Sequence, residues 1–418
     1  VGDRTTRAGA AALEPAGTGA ARSVRELAAD HTRWLVGSAL PSWWDVGIDR
    51  IDGGFIEQRD GSGNRVDVPR RTRVVSRQMY VYAVAHRRRW HPEGPQAVAH
   101  GWRFLQSRLR QRPGHYASAV DVSGNVVDHR FDLYEQAFAL FGLAAAQQAG
   151  IAGAEPEIAA TELLSHLMAV YRHPFAGFEE AVPPSAPLLS NPHMHLFEAS
   201  IAWARLVGLQ RASCWAGLAD ELAELCLSRL IDPRTGAIAE LYDSQWRPLA
   251  DASQRVEPGH QFEWGWLMMS WGLDRREHRL VDAGRRLIDL GESTGIGTHC
   301  GLVVNELHRD LSVKDDAARL WPQAERVRAW CLRLSSARSA LERDLATVRL
   351  ESALKGLGQF LDREPRGLWY EQLSAGGVRV AGNCRASSLY HIVGAVEAAQ
   401  CVVGGAQSAT YPPGIPLP

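Results

Sequence analysis

Six short segments of one kind recur along the 418-residue chain: "GGFIEQRDGSGNRVD", "GHYASAVDVSGNVVD", "GFEEAVPPSAPLL", "GAIAELYDSQWRPL", "GLVVNELHRDLSVKD" and "GLWYEQLSAGGVRV". Each opens on glycine, and most turn on Gly, Asp, Asn or Ser before a second apolar stretch, which is the signature of a small hairpin. The openings fall at Gly54, Gly114, Gly177, Gly236, Gly301 and Gly367, with spacings of 60, 63, 59, 65 and 66 residues. Helical periodicity fills the intervals, over 27–40, 74–87, 97–109, 133–149, 157–171, 196–207, 215–230, 262–273, 279–291, 320–333, 346–361 and 386–399. A near-constant period marks a repeat in which each helical pair buries its apolar face against its neighbours. Twelve helices in six pairs close most simply into an all-α (α/α)6 barrel with short β-hairpins at one mouth. The expected domain is a single barrel over 21–405, with a disordered leader over 1–20 and a tail over 406–418. An open solenoid is the competing architecture. It leaves unexplained why each hairpin is followed by polar residues where a helix enters the core.

Composition limits the partners. Hydrophobic residues make up 45% and charged ones 22%, enough apolar material for a large core. A net charge of -1 gives no electrostatic footprint for nucleic acid or an anionic membrane. The basic runs "RRTR" and "HRRRW" read as solvated helix flanks. Six cysteines without a C-x-x-C pair read as core residues in a reducing compartment, and no apolar run is long enough to span a bilayer. A cytoplasmic enzyme is expected. Its oligomeric state is left open, a homo-oligomer being allowed.

The start of each alternate helix offers a polar or aromatic anchor. These are Arg77 in "SRQMY", Tyr134 in "DLYEQ", Asn191 and His195 in "NPHMH", His260 in "PGHQFEW", Trp321 with Glu325 in "LWPQAE", and His391 in "SSLYH". The first anchors of successive units are 57, 57, 69, 61 and 70 residues apart, in phase with the hairpins. All are therefore expected at one mouth, the default place for a site.

In "SNPHMHLFEAS", Asn191 before Pro192 reads as a helix N-cap. At roughly 100° per residue, Asn191 and His195 share a face, with Glu198 near it, while His193 points elsewhere. An H-x-H pair chelates on a strand, where i and i+2 align, so no metal is expected here and His193 is read as structural. His260 and Glu263 stand one turn apart, and imidazoles such as His260 and His391 exchange protons near neutral pH. Arg77 and Asn191 can hold a developing oxyanion. Trp321 can stack on a sugar face, and Tyr134, Glu263 and Glu325 can bind hydroxyls. With no nucleotide or nucleophile-elbow motif in the sequence, no cofactor is expected.

The motifs "RQMYVY", "NPHMHLFEA", "EPGHQFEWGW", "WPQAE" and "SSLYH", in this order, resemble the N-acylglucosamine 2-epimerase superfamily over nearly the whole chain. Mannose isomerases, other aldose-ketose isomerases and cellobiose 2-epimerases belong to it. The resemblance implies acid/base roles for His260 and His391. It implies monosaccharide binding by Arg77, Tyr134, Asn191, His195, Glu263, Trp321 and Glu325, with Arg255 added from the less well matched segment before His260. "NPHMHLFEA" and "EPGHQFEW" look most like the mannose isomerase branch. The implied reaction is metal-independent interconversion of D-mannose and D-fructose, or of D-lyxose and D-xylulose, through a cis-enediolate. Only the branch resemblance selects isomerase over 2-epimerase. Arg77 and Arg255 are the basic residues recognised at the mouth, which points to an uncharged sugar.

Two other classes compete. A glycoside hydrolase needs paired carboxylates across the mouth; Glu198, Glu263 and Glu371 exist, but the histidines are then unexplained. A non-catalytic binding scaffold explains neither.

Overall fold

The computed structural model describes residues 22–111, 114–208, 213–250, 254–298 and 300–404; the expected leader and tail lie outside them. Among the described residues the helices are α1 (Val24–Trp34), α2 (Leu40–Asp45), α3 (Thr72–Arg87), α4 (Gly94–Phe104), α5 (Leu133–Gln148), α6 (Glu155–Val170) and α7 (Ser190–Val207), followed by α8 (Cys214–Leu225), α9 (Pro258–Arg275), α10 (His278–Thr294), α11 (Leu320–Ser335), α12 (Ala340–Leu361) and α13 (Ala386–Val403). A π-helical turn, Leu35–Ala39, joins α1 to α2 into one continuous helix. The odd-numbered helices from α3 to α13 pack side by side in order, and α13 returns to α3. This inner ring is surrounded by α1–α2, α4, α6, α8, α10 and α12, so the fold is an (α/α)6 barrel.

The inner helices are buried on nearly every face, with charged side chains such as Arg326 and Arg328 of α11 buried among apolar ones. In α5, "LYEQAFALFGLAAAQQ", small residues let neighbours approach closely. Ser76 is so near Gly142 that a Cβ there would lie 2.7 Å from it. Most tryptophans serve the core between the rings; Trp203, Trp264, Trp271 and Trp330 are fully buried. No helix among the described residues is long and apolar enough to cross a membrane.

All six repeat-opening glycines have positive φ, between +67° and +126°, which explains why glycine recurs there. True hairpins form in the first, second and fifth segments, pairing β1 (Gln58–Arg59) with β2 (Arg65–Val66), β4 (Ala119–Val120) with β5 (Val126–Asp128), and β8 (Glu306–Leu307) with β9 (Val313–Asp315). The third segment forms none, and its Pro183, Pro184 and Pro187 lack the N–H groups a hairpin uses.

Pairing between units stitches the mouth together. β3 (Arg70–Arg71) joins β4, β6 (Leu188–Leu189) joins β7 (Leu241–Tyr242), β10 (Ala318–Arg319) joins β11 (Gln372–Leu373), and β12 (Cys384–Arg385) joins β1. That last pair closes the ring.

Three helix starts differ from expectation by four residues or more. α7 begins at Ser190 rather than near 196, and α9 and α12 begin four to six residues before the periodic runs. Asn191 is therefore not the N-cap. Leu189 holds that place because β6 runs straight into the helix, and Asn191 lies in the first turn. The polar stretch before 346 extends the outer helix α12, capped by Ser339.

One side-chain device recurs behind the mouth. Gln136 clamps the main chain of Tyr116, accepting from its N–H at 2.8 Å and donating to its carbonyl at 2.8 Å. Gln261 clamps Ile238, and Gln323 clamps Val303, in the same way. In the third unit His193 takes this place: Nε2 accepts from Phe178 N–H at 3.0 Å, and Nδ1 lies 2.8 Å from the Leu189 carbonyl. Buried backbone groups left unpaired cost roughly 1–3 kcal/mol each. His193→Ala should thus lower unfolding free energy by about that much in urea titration. His193→Gln should recover most of the loss, and equal losses in both variants would refute the equivalence.

Candidate active site

The inner helices direct their first turns into one cavity of about 290 Å³. Eight of the ten residues singled out from the sequence line it: Arg77, Tyr134, Asn191, His195, His260, Glu263, Trp321 and His391. Arg255 and Glu325 do not. Arg255 lies outside and faces Glu257 and Glu306, at 3.3 and 3.5 Å. It precedes α9 in an extended segment, so helical register does not aim it inward. Glu325 is fully buried behind His391, one turn further into α11 than the residues at the mouth.

Each cavity histidine on α9 and α13 is tied to a carboxylate behind it. His260 Nδ1 meets Glu240 at 2.8 Å, and His391 Nδ1 meets Glu325 at 2.6 Å. Both contacts leave Nε2 for the cavity. Trp321 stands beside the two imidazoles, its ring centroid 4.9 Å from His260 and 5.7 Å from His391. Its position depends on Gly259, where a Cβ would lie 2.5 Å from the indole.

Their electrostatic surroundings are opposite. Burial by itself pushes His260 down, but the charges of Glu240 and Glu257, the Glu240 hydrogen bond and Glu263 together raise it to about 9. His391 is held well below its ordinary value by burial, then by the positive charges of Arg77 and Arg328. At neutral pH His260 carries a proton that His391 lacks. Arg328 donates to both Glu325 oxygens, at 3.2 and 2.9 Å, against the burial that raises Glu325 to about 7; in its ionised form Glu325 accepts from His391 and places the imidazole proton on Nδ1. The free lone pair is then on Nε2.

The cavity floor is a buried network. Glu198 accepts from Tyr390 Oη at 2.5 Å and sits 3.1 Å from His195 Nδ1 and 3.5 Å from Arg328. Burial drives His195 down to about 4, so it is neutral. Glu263 is raised well above the carboxylate range by burial, then by Glu325 and Glu198, and its Oε1 has no hydrogen-bond partner among the described residues. Arg77 donates to Tyr134 Oη at 2.8 Å and lies over Phe138, its guanidinium 4.2 Å from the ring centroid.

Three groups bring metal-ligating atoms within 4.8 Å of one another: His195, Glu198 and Glu263; Glu240, Glu257 and His260; and Glu263, Glu325 and His391. All their carboxylates except Glu263 are already shared with cations. Glu257 pairs with Arg319 at 2.7 Å, Glu325 with Arg328, and Glu240 with the protonated His260.

Several cavity residues escaped sequence reading, namely Glu257, Arg319, Gln372, Arg385, Ser387 and Ser388; Glu371 enters that reading only as a carboxylate of the hydrolase alternative. Arg319 and Arg385 correct the expectation that Arg77 and Arg255 are the basic groups of the mouth. A positional signal existed: Glu257, Arg319 and Arg385 each occupy the N-cap of an inner helix. Glu240 and Glu371 likewise occupy equivalent hairpin positions, four residues after the opening glycine.

A family model described as N-acylglucosamine 2-epimerase (GlcNAc 2-epimerase) matches residues 54–395, and the chain belongs to that family. A mannose-6-phosphate isomerase of Rhizobium meliloti (strain 1021) is 40% identical over 365 residues, covering 87% of this chain and 94% of that protein. A solved D-mannose isomerase superposes with a TM-score of 0.78 at 20% identity, over 89% of this chain and 96% of that one. The cellobiose 2-epimerase of Spirochaeta thermophila DSM 6192 gives 0.78 at 20% identity, over 91% and 97%. The protein is an enzyme of the sugar isomerase and epimerase type.

Because Glu240 helps raise the His260 pKa, Glu240→Gln should lower it. If protonated His260 is the working form, kcat/KM falls as pH rises through about 9. In the variant this alkaline limb should move to lower pH. An unmoved limb in a folded variant would remove Glu240 from that role.

Proposed function

We propose that the protein interconverts a mannose-type aldose and its 2-ketose, D-mannose and D-fructose being the reference pair, by proton transfer between C2 and C1 without a metal ion. The observation that carries this reading is the pair of carboxylate-backed imidazoles, oppositely loaded with protons, at one cavity. Protonated His260 is suited to assist ring opening: it gives its proton to the ring oxygen as the bond from that oxygen to C1 breaks, and takes up the proton that the anomeric hydroxyl loses as C1=O forms. Neutral His391 is suited to the base role through Nε2.

Once the chain is open, His391 removes the C2 proton. The electrons of that C–H bond form the C1=C2 bond, and the aldehyde oxygen becomes an enediolate oxygen. Arg77 stabilises that charge from a desolvated position, its guanidinium already fixed by Tyr134 and Phe138. His391 then returns the proton to C1 while the O2 proton passes to O1, leaving the ketone at C2. Glu263 in its protonated form and Asn191 supply hydrogen bonds to hydroxyls, and Trp321 offers a face for the sugar. Glu325 positions His391 rather than touching substrate.

Epimerisation at C2 is the second reading, because two histidines serve one cavity. It requires a base on one face of C2 and an acid on the other, roles that neutral His391 and protonated His260 can also fill. What supports isomerisation is the 40% identity to a protein named as a mannose-6-phosphate isomerase.

The test uses protein treated with a chelator and supplied with D-mannose in D2O, with products followed by NMR. Fructose with partial deuterium at C1 is expected. Glucose labelled at C2 with little fructose would establish the epimerase, and loss of activity restored by a divalent cation would overturn the metal-free part. His391→Ala should reduce kcat by about 100-fold or more. A variant retaining a tenth of the rate would exclude it as the base.

A further inference from the structure

We infer that a second cavity, between the outer helices α1 and α12, is a binding site for an uncharged polyhydroxyl ligand of monosaccharide size. It shares no lining residue with the active cavity. The inference therefore stands independently of the reaction proposed above.

The signature of this cavity is one that the active cavity also carries. There, Arg77 Nε, Asn191 Oδ1 and Glu263 Oε1 are buried polar atoms without a hydrogen-bond partner among the described residues, and they are groups a substrate would meet. In the second cavity His31 Nδ1 and Trp34 Nε1 are buried in the same unpartnered state. His31 is 7% exposed, and the two side chains stand one turn apart on α1. Buried polar groups are nearly always paired, so two orphans at one cavity call for a partner that binds there. The volume is about 560 Å³, within the range of small-molecule sites. Gly358 of α12 makes part of that room, since a Cβ there would lie 3.2 Å from His31 Nε2. Leu27, Leu354 and Leu361 supply apolar wall.

The charges around the cavity set the class of ligand. Arg379 pairs with Asp362 at 2.7 Å, Arg22 with Asp30, and Lys355 with Glu351. Arg363 donates to the carbonyls of Trp369 at 2.8 Å and Gly382 at 2.7 Å. The remaining Glu364 and Arg366 are exposed and of opposite sign, so no net charge is left to hold an ion. Burial, then the charge of Arg22, lowers His31 to about 4. At neutral pH its ring is therefore uncharged and offers one donor and one acceptor nitrogen, whereas the Trp34 N–H can only donate. Neighbouring hydroxyls answer both needs, one accepting from the indole and one exchanging a hydrogen bond with the imidazole. The C–H faces of a sugar pack against the leucines and the indole edge.

The test titrates D-mannose into wild type and follows the indole N–H signals of Trp34 and Trp321 by ¹H–¹⁵N NMR, each assigned by its loss in Trp34→Phe or Trp321→Phe. Conversion of the sugar does not disturb the reading, because Trp34 reports the outer cavity and Trp321 the active one. The Trp34 signal should shift and saturate at a concentration of its own. Gly358→Leu, which fills the cavity, and His31→Phe, which removes the imidazole nitrogens, should each weaken that response by about tenfold, the scale of one lost neutral hydrogen bond. Both should leave the Trp321 response as in wild type. Trp34 meets Trp369 edge to face with centroids 6.3 Å apart, and Trp369 Nε1 donates to Glu371 of the active cavity at 2.8 Å. A Trp34 shift that tracks Trp321 and persists in folded Gly358→Leu is thus relayed from the active cavity and overturns the site. An unmoved Trp34 signal at close to molar sugar overturns it as well. A responding Trp34 beside a silent Trp321 supports the outer site and counts against the sugar reading of the active cavity alone.

Discussion

Everything at the mouth depends on one closure, the return of the last repeat onto the first. β12 pairs with β1, bringing Arg385 opposite Gln58 and Cys384 opposite Arg59, and Gln78 on α3 donates to the Ala386 carbonyl at 2.8 Å. Without that contact the same helix pairs would continue as an open superhelix and their polar first turns would line a groove. With it, six helix N-termini converge. Residues as distant in sequence as Arg77 and His391 then wall a single cavity.

Convergence creates an electrostatic problem that the buried side chains resolve. Six positive dipole ends and several arginines meet in a desolvated space, where unpaired charge is costly. Carboxylates from hairpins and inner helices answer them in pairs: Glu57 with Arg71, Glu135 with Arg73, Glu198 and Glu325 with Arg328, and Glu257 with Arg319. The uneven distribution of these partners differentiates the two histidines. His260 is surrounded by Glu240, Glu257 and Glu263, whereas His391 feels Arg77 and Arg328 and shares its one contacting carboxylate with the latter. Two chemically identical side chains are thereby given complementary proton loads within one cavity.

Much of this was legible in the chain because it repeats. The opening glycines marked backbone of positive φ, a requirement that survives variation at neighbouring positions, and the anchors in phase with them located eight cavity residues. The angular argument separated His193 from His195, and the structure gives its physical content: His193 is the third unit's version of the glutamine clamp. The misses share one cause. Glu240, Arg319 and Arg385 sit on or beside short extended segments, where helical periodicity says nothing about direction and strand pairing between repeats sets the aim. Arg255, added from the less well matched part of the resemblance, is not among the residues that line the cavity. Glu325 was assigned to substrate because its helix face is right, but its depth along α11 puts it behind the imidazole.

The opposite charge states of His260 and His391 can be observed without any substrate. In ¹⁵N-detected NMR of imidazole-labelled protein, assigned with His260→Asn and His391→Asn variants, His260 should be doubly protonated at pH 7.5 and lose its proton near pH 9. His391 should remain neutral, with its proton on Nδ1, across the same range. A neutral His260 at pH 7.5, or a charged His391, would contradict the division of labour on which the proposed chemistry stands.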